Sequence, residues 1–326
     1  MKRSCKERNL VSCVSTPPRG ATYALPYFDV ATVVKHRVSD LIINSDWSKY
    51  YTRPQESTLL EGPLGWIVQN KRVDVQFTHG AEHAIAEIVK RKSSDRILCP
   101  QYSYPGYQRI ANQAGATLEE YADSADLHAR LNPASTTTSA VIITYPGNPK
   151  NNSIPLESAT SLRCDAVIID CTYARLNGHE MQHGAAAASG PNIFTVFSLS
   201  KAYSLAGFRM GGIVANPNSL SDLRLNHRYW TLSSCAVYTA LGEPAIKESL
   251  DKSFYRLNQI SESIRRIFRN MNIEIVGNET PLFTSVLTEC DYGLSGKRFS
   301  TNLLRIDTCP RNVNLLSDLA GRSNHA

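Results

Sequence analysis

The chain has 326 residues, of which 42% are hydrophobic and 20% are charged. The length predicts one large domain plus a smaller one, and the composition is that of an ordinary globular protein. No apolar run is long enough to cross a bilayer, and the basic N-terminal stretch lacks the apolar segment of a secretory signal. The net charge of +6 comes from scattered Lys and Arg residues, so we expect neither nucleic acid nor a membrane as a partner.

The eight cysteines are far apart, with no CxxC pair and no histidines at metal-ligand spacing. We therefore expect reduced thiols, a cytoplasmic location and no metal site.

From about Val73 onward, short apolar strands alternate with amphipathic helices, which predicts an α/β fold with helices on both faces of a sheet. The first strand runs into a helix that starts near Ala81 and carries one apolar face. The predicted strands cover residues 73–78, 96–99, 140–145, 166–170, 193–200 and 211–216, with a further helix at 107–113. In open α/β sheets ligands bind outside the carboxyl ends of the strands, so the loops there are the candidate site.

After about Pro244 the pattern changes to a long amphipathic helix, two short strands at 282–287 and 302–307, and a final helix at 312–320. These elements predict a second, smaller α+β unit. The predicted organisation has three parts: an N-terminal arm (1–35) that packs on the small domain, a large domain (36–245) and a small C-terminal domain (246–326).

The strongest chemical signal is SLSKAYSLAGFRMGG, residues 198–212, in which Ser198, Ser200 and Lys201 end a strand and Arg209 follows. A lysine that forms an imine must be partly desolvated and close to its aldehyde. Two hydroxyls and a guanidinium nearby would bind a phosphate monoester through charge-assisted hydrogen bonds. A lone lysine here would also fit an ordinary strand end, but the combination of residue types favours the chemical interpretation.

This motif resembles that of the class I/II aminotransferases, which are pyridoxal-phosphate (PLP) enzymes of the aspartate aminotransferase superfamily. The histidinol-phosphate aminotransferase branch is the most similar, over roughly residues 50–320. The resemblance implies a three-layer fold type I large domain with a mostly parallel sheet, plus a trimmed small α+β domain. It also implies PLP as cofactor, Lys201 as the Schiff-base lysine and proton shuttle, and a phosphate site at Ser198, Ser200 and Arg209.

Two further loops agree with the resemblance. In VIIDCTYARL, Asp170 would pair with the pyridine nitrogen and Tyr173 with the ring's phenolic oxygen, although an aspartate that ends a strand is often only a helix cap. In TYPGNPKNN, Asn148 would donate a hydrogen bond to the same oxygen, although a segment of Pro, Asn and Gly is often only a turn. Lys150 and the residue after it depart from the family's threonine and glycine.

The resemblance assigns the remaining cofactor contacts to residues that are weak signals by themselves. Gly80 and Ala81 begin a helix after a strand, where free N–H groups favour an anion. Tyr104 would stack on the pyridine ring, with Tyr102 as the alternative. Tyr51 would reach the phosphate of the neighbouring subunit.

Arg305, on a strand near the C-terminus, would bind the substrate carboxylate with its planar fork. Residues 19–30 do not match the family's N-terminal lid, and only about fifteen residues separate strand 282–287 from Arg305, where the family has a helix and a strand. The sequence therefore does not identify the substrate.

The function that follows is PLP-dependent transamination of an amino acid or related amine by a homodimer, in amino-acid metabolism or another biosynthetic pathway. A PLP-dependent decarboxylase, lyase or cyclase, similar to threonine-phosphate decarboxylase, is the first alternative because the same scaffold carries these reactions. A PLP-binding regulator is the second, and no helix-turn-helix extension supports it.

Overall fold

The computed structural model describes residues 29–45, 62–69, 72–92, 94–131, 138–151, 154–225, 232–290 and 292–323. The chain divides into two compact units, one within residues 28–253 and one that contains residues 254–326. The division falls inside a long helix, Pro244–Asn270. The predicted limits of the arm and of the two domains stay predictions, and most of the arm lies outside the described residues.

A seven-stranded sheet organises the first unit, with its strands in the order β1-β7-β6-β5-β4-β2-β3. The strands are β1 (Asp74–Thr78), β2 (Arg96–Pro100), β3 (Thr117–Tyr121), β4 (Ser139–Thr144), β5 (Ala166–Asp170), β6 (Ile193–Ser198) and β7 (Gly211–Ala215). All neighbours pair in parallel except β7, which is antiparallel to both β6 and β1. The predicted α/β class and mostly parallel sheet are thus confirmed.

The described helices of this unit connect or flank the strands. They are α1 (Asp29–Ile43), α2 (Gly65–Gln69), α3 (Ala81–Arg91), α4 (Gly106–Ala114), α5 (Ser124–Arg130), α6 (His179–Ala187), α7 (Pro217–Asp222), α8 (Leu232–Gly242) and the start of α9 (Pro244–Asn270). Strands β4, β5 and β6 are buried along their whole length, because both faces of a parallel sheet are covered. Apolar residues of α3 and α4 pack with one face of the sheet in a single core cluster.

The second unit holds a four-stranded antiparallel sheet in the order β10-β11-β9-β8. Its strands are β8 (Ile275–Gly277), β9 (Phe283–Leu287), β10 (Gly296–Ser300) and β11 (Leu303–Asp307), and the chain continues into α10 (Pro310–Ser323). Val286, Leu304 and Ile306 pack with Ile264 and Phe268 of α9. The predicted smaller α+β unit is confirmed, and the short interval before Arg305 contains a strand, β10.

Candidate active site

The candidate residues of the first unit gather at one edge of the large sheet. Strands β1, β2, β4, β5 and β6 run in the same direction, so their carboxyl ends meet there. Because β7 runs in the opposite direction, its first residue lies at the same edge. Asp170 is the last residue of β5. The loops that follow these strands carry Gly80, Tyr104, Asn148, Tyr173, Ser200 and Lys201, and Arg209 precedes β7.

Two glycines let three backbones approach closely at this edge. Gly80 has φ +89°, and a Cβ on it would lie 3.1 Å from Nη2 of Arg209. A Cβ on Gly211 would lie 2.8 Å from the Cα of Gly80 and 2.5 Å from the carbonyl oxygen of Phe197. Since side chains are excluded at both positions, the Arg209 guanidinium lies directly against the β1–α3 turn, where it donates to the His79 carbonyl at 3.4 Å.

This turn has the properties of an anion site. Helix α3 begins at Ala81, and its N-cap, Gly80, has no side chain that could accept the first N–H groups of the helix. The Gly80 carbonyl accepts a hydrogen bond from the Thr78 hydroxyl at 3.0 Å. The N–H groups of a first helical turn point outward, and the helix dipole favours negative charge beside them. The Arg209 guanidinium adds a full positive charge to the same place.

The serine-lysine segment reaches the same turn from β6. Buried Ser198 pairs with Gly211, and its Oγ accepts the N–H of Ser200 at 3.1 Å. Backbone bonds from Leu199 to Met210 and from Leu205 to Leu199 close the loop on itself. Lys201 therefore sits, half-buried, on a short constrained turn.

Asp170 ends β5 and is held by three hydrogen bonds. Tyr107 donates its hydroxyl to Oδ2 at 2.6 Å, while Thr172 donates its hydroxyl at 2.5 Å and its N–H at 3.0 Å to Oδ1. A carboxylate has about four acceptor positions, so one stays open for a further donor. The side chain is oriented before any ligand arrives.

The Tyr107 hydroxyl acts as a donor to this carboxylate. Burial, and then the negative charge of Asp170, raise the pKa of Tyr107 well above its ordinary value. The hydroxyl is therefore protonated throughout the usual pH range.

Tyr104 follows β2 and is tied to the start of α3. Its hydroxyl donates to Glu82 Oε2 at 2.6 Å, and Arg109 donates to Glu82 Oε1 at 3.0 Å. Burial acts to raise the pKa of Glu82, but the hydrogen bonds from Tyr104 and Arg109 lower it overall. Both candidate rings are exposed, Tyr104 at 40% and Tyr102 at 38%. Lys150 Nζ lies 5.3 Å from the Tyr102 centroid.

Asn148 and Tyr173 lie on neighbouring loops of the same edge. Asn148 is buried in the loop after β4, and Tyr173 is half-buried three residues beyond Asp170. Because β4 and β5 are adjacent parallel strands, the loops that carry these two residues are neighbours at the same edge of the sheet.

Two predicted residues are not brought to this edge within the described part of the first unit. Arg305 belongs to β11 of the second unit, where it is 9% exposed. Its guanidinium carbon lies 5.0 Å from the ring centroid of Phe283. Tyr51 lies outside the described residues.

Sequence reasoning did not identify Tyr107, Thr172, Glu82 or Arg109. The signal for Thr172 is its position two residues after Asp170, where a side-chain-to-backbone turn commonly forms. Tyr107 gives no comparable signal, because three tyrosines occur within six residues. Only the tertiary structure distinguishes the buried one.

None of the described helices is long and apolar enough to cross a membrane. Within the part of the chain that the structure describes, no three His, Cys, Asp or Glu side chains are grouped so that they could hold a metal ion.

A mostly parallel seven-stranded sheet with a smaller antiparallel sheet is the fold of the fold type I aminotransferases. The family model for aminotransferase class I and II matches residues 29–305. The chain belongs to this family.

Curated relatives cover parts of the chain. A histidinol-phosphate aminotransferase of Erythrobacter litoralis is 30% identical over 139 residues, which are 40% of this chain and 38% of the relative. An aromatic amino acid aminotransferase of Cutibacterium acnes is 25% identical over 192 residues, which are 54% of this chain and 52% of the relative. The chain thus spans about half or less of the length of these two proteins.

Solved structures share the fold at low identity. The histidinol-phosphate aminotransferase of Sinorhizobium meliloti, in complex with pyridoxal-5'-phosphate, has a TM-score of 0.64 at 18% identity and covers 90% of this chain and 87% of its own. A PLP-bound C–S lyase of Staphylococcus hominis has a TM-score of 0.69 at 16% identity, with 89% of each chain covered.

Proposed function

We propose that this protein is a PLP-dependent aminotransferase that acts on an amino acid or related amine through a Schiff base at Lys201. The observation that carries the proposal is the convergence of Gly80, Arg209 and Ser198 on one anion site, beside the loop that bears Lys201. Pre-oriented Asp170 ends the neighbouring strand. Family membership supports the same reaction class.

The residues present fit PLP. A Cβ at Gly80 would crowd the Arg209 guanidinium, so the turn has the shape of a cradle with a cation in its wall. Guanidinium, hydroxyl and helix N–H groups are the donors that a phosphate monoester requires. The open acceptor position of Asp170 suits a protonated ring nitrogen.

When bound, PLP supplies an aldehyde that condenses with amines and a ring that accepts electrons from the substrate α-carbon. Arg209, Ser198 and Ser200 would bind its phosphate together with the N–H groups at Gly80 and Ala81. These contacts hold charge in place and do not take part in bond breaking.

The chain's other residues would orient the ring and move the proton. Asp170 would accept the ring N–H, while Asn148 and Tyr173 would donate to the ring oxygen. Tyr104 would pack on the ring face. Lys201 would take a proton at Nζ and return it, which is the general acid–base role of a positioned amine.

The substrate, the assembly and the location are proposed on weaker support. Arg305 would bind the substrate carboxylate bidentately. A homodimer in which Tyr51 contacts the partner's phosphate follows from the family resemblance. A cytoplasmic role in amino-acid biosynthesis agrees with Cys99, Cys164, Cys171, Cys235 and Cys309, which form no disulfide.

The test is an absorption spectrum of the purified protein with added PLP, before and after borohydride, followed by a panel of amino acids. We expect an imine band that borohydride traps on Lys201 and that one amino donor converts to the pyridoxamine form. Lys201→Ala should lose both signals, while Lys252→Ala, which removes an exposed lysine paired with Glu248, should keep them. If the protein with added PLP showed no imine band that borohydride traps on Lys201, the proposal would be refuted.

The same experiment distinguishes the alternative reactions. A decarboxylase, lyase or cyclase would form the imine band and turn over without conversion to the pyridoxamine form. Released carbon dioxide or ammonia would then identify the bond that breaks.

A further inference from the structure

Packing alone does not fix the ring of Tyr104. Its side chain is exposed, and its carbonyl accepts the N–H of Tyr107 at 3.0 Å in the turn that begins α4. A Cβ on Gly106 would overlap Cε1 of the Tyr104 ring, so the ring lies directly over this glycine. The ring of Tyr107 meets it edge to face, with 5.6 Å between the centroids. An exposed ring with these contacts keeps rotational freedom unless its hydroxyl end is also held.

The hydroxyl end of the ring is held by the start of α3. Tyr104 donates to Glu82 Oε2 at 2.6 Å, a distance typical of a hydrogen bond to a charged acceptor. Arg109 Nη2 donates to the two oxygens of Glu82 at 3.0 and 3.2 Å and to the Tyr104 hydroxyl at 3.3 Å. Burial, and then the hydrogen bond to Glu82, raise the pKa of Tyr104, so its hydroxyl stays a donor. We call these three residues the Tyr104 cluster.

Glu82 occupies a place that is unfavourable for a carboxylate if an anion is to bind. It is the second residue of α3, whose N-cap Gly80 forms the anion site with Arg209. Arg209 is near enough for its positive charge to act on the Glu82 carboxylate. A negative charge beside an anion site opposes phosphate binding. The helix dipole favours an acid at this position, and the hydrogen bond to Tyr104 indicates a second role for it.

We propose that Glu82 and Arg109 are positioning residues that hold the Tyr104 ring in the orientation needed to pack on the pyridine ring of PLP. This inference rests on the proposed function, in which Tyr104 packs on the ring face. Glu82 fixes the hydroxyl end of the ring. Arg109 orients Glu82 and neutralises its charge, which limits repulsion of the cofactor phosphate. The helix that would bind the phosphate therefore also sets the position of the packing ring.

The first experiment separates this role from the charge of Glu82 and from its effect on the helix. The Kd of PLP is measured by absorbance titration of the full chain, and the Kd of inorganic phosphate by its competition with PLP. Glu82→Gln keeps the size of the side chain and removes its charge. We expect about fivefold weaker PLP binding, because a partly exposed hydrogen bond to a charged group is lost. Inorganic phosphate should bind equally well or more tightly, because a nearby negative charge is gone.

Other results for Glu82→Gln would contradict the inference. Tighter binding of both ligands would mean that Glu82 acts only through its charge. Equal weakening of both would mean that Glu82 only shapes the start of the helix. Glu87→Gln is the matched control, because it removes from the same helix a carboxylate that is paired with Arg91, and it should keep the wild-type Kd for both ligands.

The second experiment tests whether the cluster acts as a unit. Tyr104→Phe keeps the ring and removes the hydroxyl, so it should weaken PLP binding as much as Glu82→Gln does. The double variant should bind no more weakly than either single variant, because both changes remove the same hydrogen bond. Arg109→Gln should have a smaller effect, since Arg109 acts through Glu82. The circular dichroism of the imine band should change in all these variants, and additive losses in the double variant would overturn the inference.

Tyr104→Ala distinguishes failure of this inference from failure of the proposed function. If it binds PLP like the wild type and the Lys201 imine forms, Tyr104 does not pack on the cofactor, and only the inference is refuted. If Tyr104→Ala weakens binding and Tyr104→Phe does not, the ring packs without help from Glu82, which also refutes the inference alone. A wild-type protein without an imine band would refute the proposed function and the inference together.

Discussion

Asp170 shows how single side chains prepare the candidate site. Its two oxygens are occupied by groups of different origin: Thr172 is local in sequence, while Tyr107 comes from α4, 63 residues earlier. Thr172 holds Oδ1 of the carboxylate, and the hydroxyl of fully buried Tyr107 holds Oδ2. A donor that stays neutral orients the carboxylate without neutralising it, so its charge is kept for the ring nitrogen.

We predict that Tyr107→Phe lowers the free energy of unfolding by about 1–3 kcal/mol, the usual cost of losing a hydrogen bond to a charged group. It should also change the pH dependence of the cofactor absorbance and reduce kcat/KM, because Asp170 would be less well oriented. Urea denaturation and spectroscopic titration measure the two effects.

Tyr121→Phe is the matched control for this prediction. Tyr121 is equally buried, and its hydroxyl donates to the Ile142 carbonyl at 2.8 Å. This variant should lose stability and keep the wild-type spectrum. If both variants behaved alike in the spectrum, Tyr107 would have only a structural role.

Residues of this kind mark the limit of what a sequence predicts about a site. Asp170, Ser198 and Lys201 follow apolar runs, so the ends of β5 and β6 could be located and their polar residues proposed. Tyr107 lies inside a helix, and its contact with Asp170 depends on how α4 packs against β2, β3 and α3. That packing is tertiary, and no local pattern encodes it.

At the scale of elements, the junction of β1, β6 and β7 depends on the absence of one side chain. Gly211→Ala would push a methyl group into the backbone of Phe197 and Gly80, and rigid backbone cannot move aside cheaply. We predict a loss of about 3 kcal/mol in the free energy of unfolding and weaker PLP binding. Gly207→Ala, where the new Cβ meets nothing within 4 Å, should change stability by less than about 0.5 kcal/mol.

Strand β3 is held at the sheet edge by an ion pair as well as by its pairing with β2. Arg96 donates to both oxygens of Glu119 at 3.0 Å. These hydrogen bonds lower the pKa of Glu119 below its ordinary value. A depressed carboxyl pKa contributes stability above the unfolded-state pKa, and this contribution is lost as pH falls through the folded-state value.

We therefore predict that Glu119→Gln loses less stability than the wild type when pH falls from about 5 to 3. The difference should stay below about 1 kcal/mol, because the pair is partly exposed to solvent. Thermal unfolding across this range measures it. Glu120→Gln, which removes the same charge from an exposed neighbour, should follow the wild type, and a Glu119→Gln curve parallel to both would contradict the prediction.

The strands that the sequence did not predict are β3, β8 and β10, and all three lie at sheet edges. Their residues are mostly half-buried or exposed, so they lack the continuous apolar run that marked β4, β5 and β6. An edge strand is defined by the neighbour it pairs with, and that neighbour is distant or follows later in the chain. The buried strands β4, β5 and β6 could be predicted from their continuous apolar runs alone.

For the whole molecule, the proposed dimer makes the active site a shared structure. If Tyr51 contacts the phosphate in the partner subunit, then Tyr51 and Lys201 of one chain serve different sites. Neither the Tyr51→Ala homodimer nor the Lys201→Ala homodimer should have a complete site, because the substituted residue is missing from both of its active sites. A mixed dimer would contain one complete site, because each chain supplies what the other lacks.

We predict that mixing the two inactive variants, after dissociation and reassociation, recovers about a quarter of wild-type kcat, since half the dimers are mixed and each has one complete site. Mixing without dissociation is the control and should recover none. Recovery should rise with the time of subunit exchange and stop at this level. A mixture that stays inactive although mixed dimers form, or a Tyr51→Ala homodimer with full activity, would show that Tyr51 does not complete the neighbouring site.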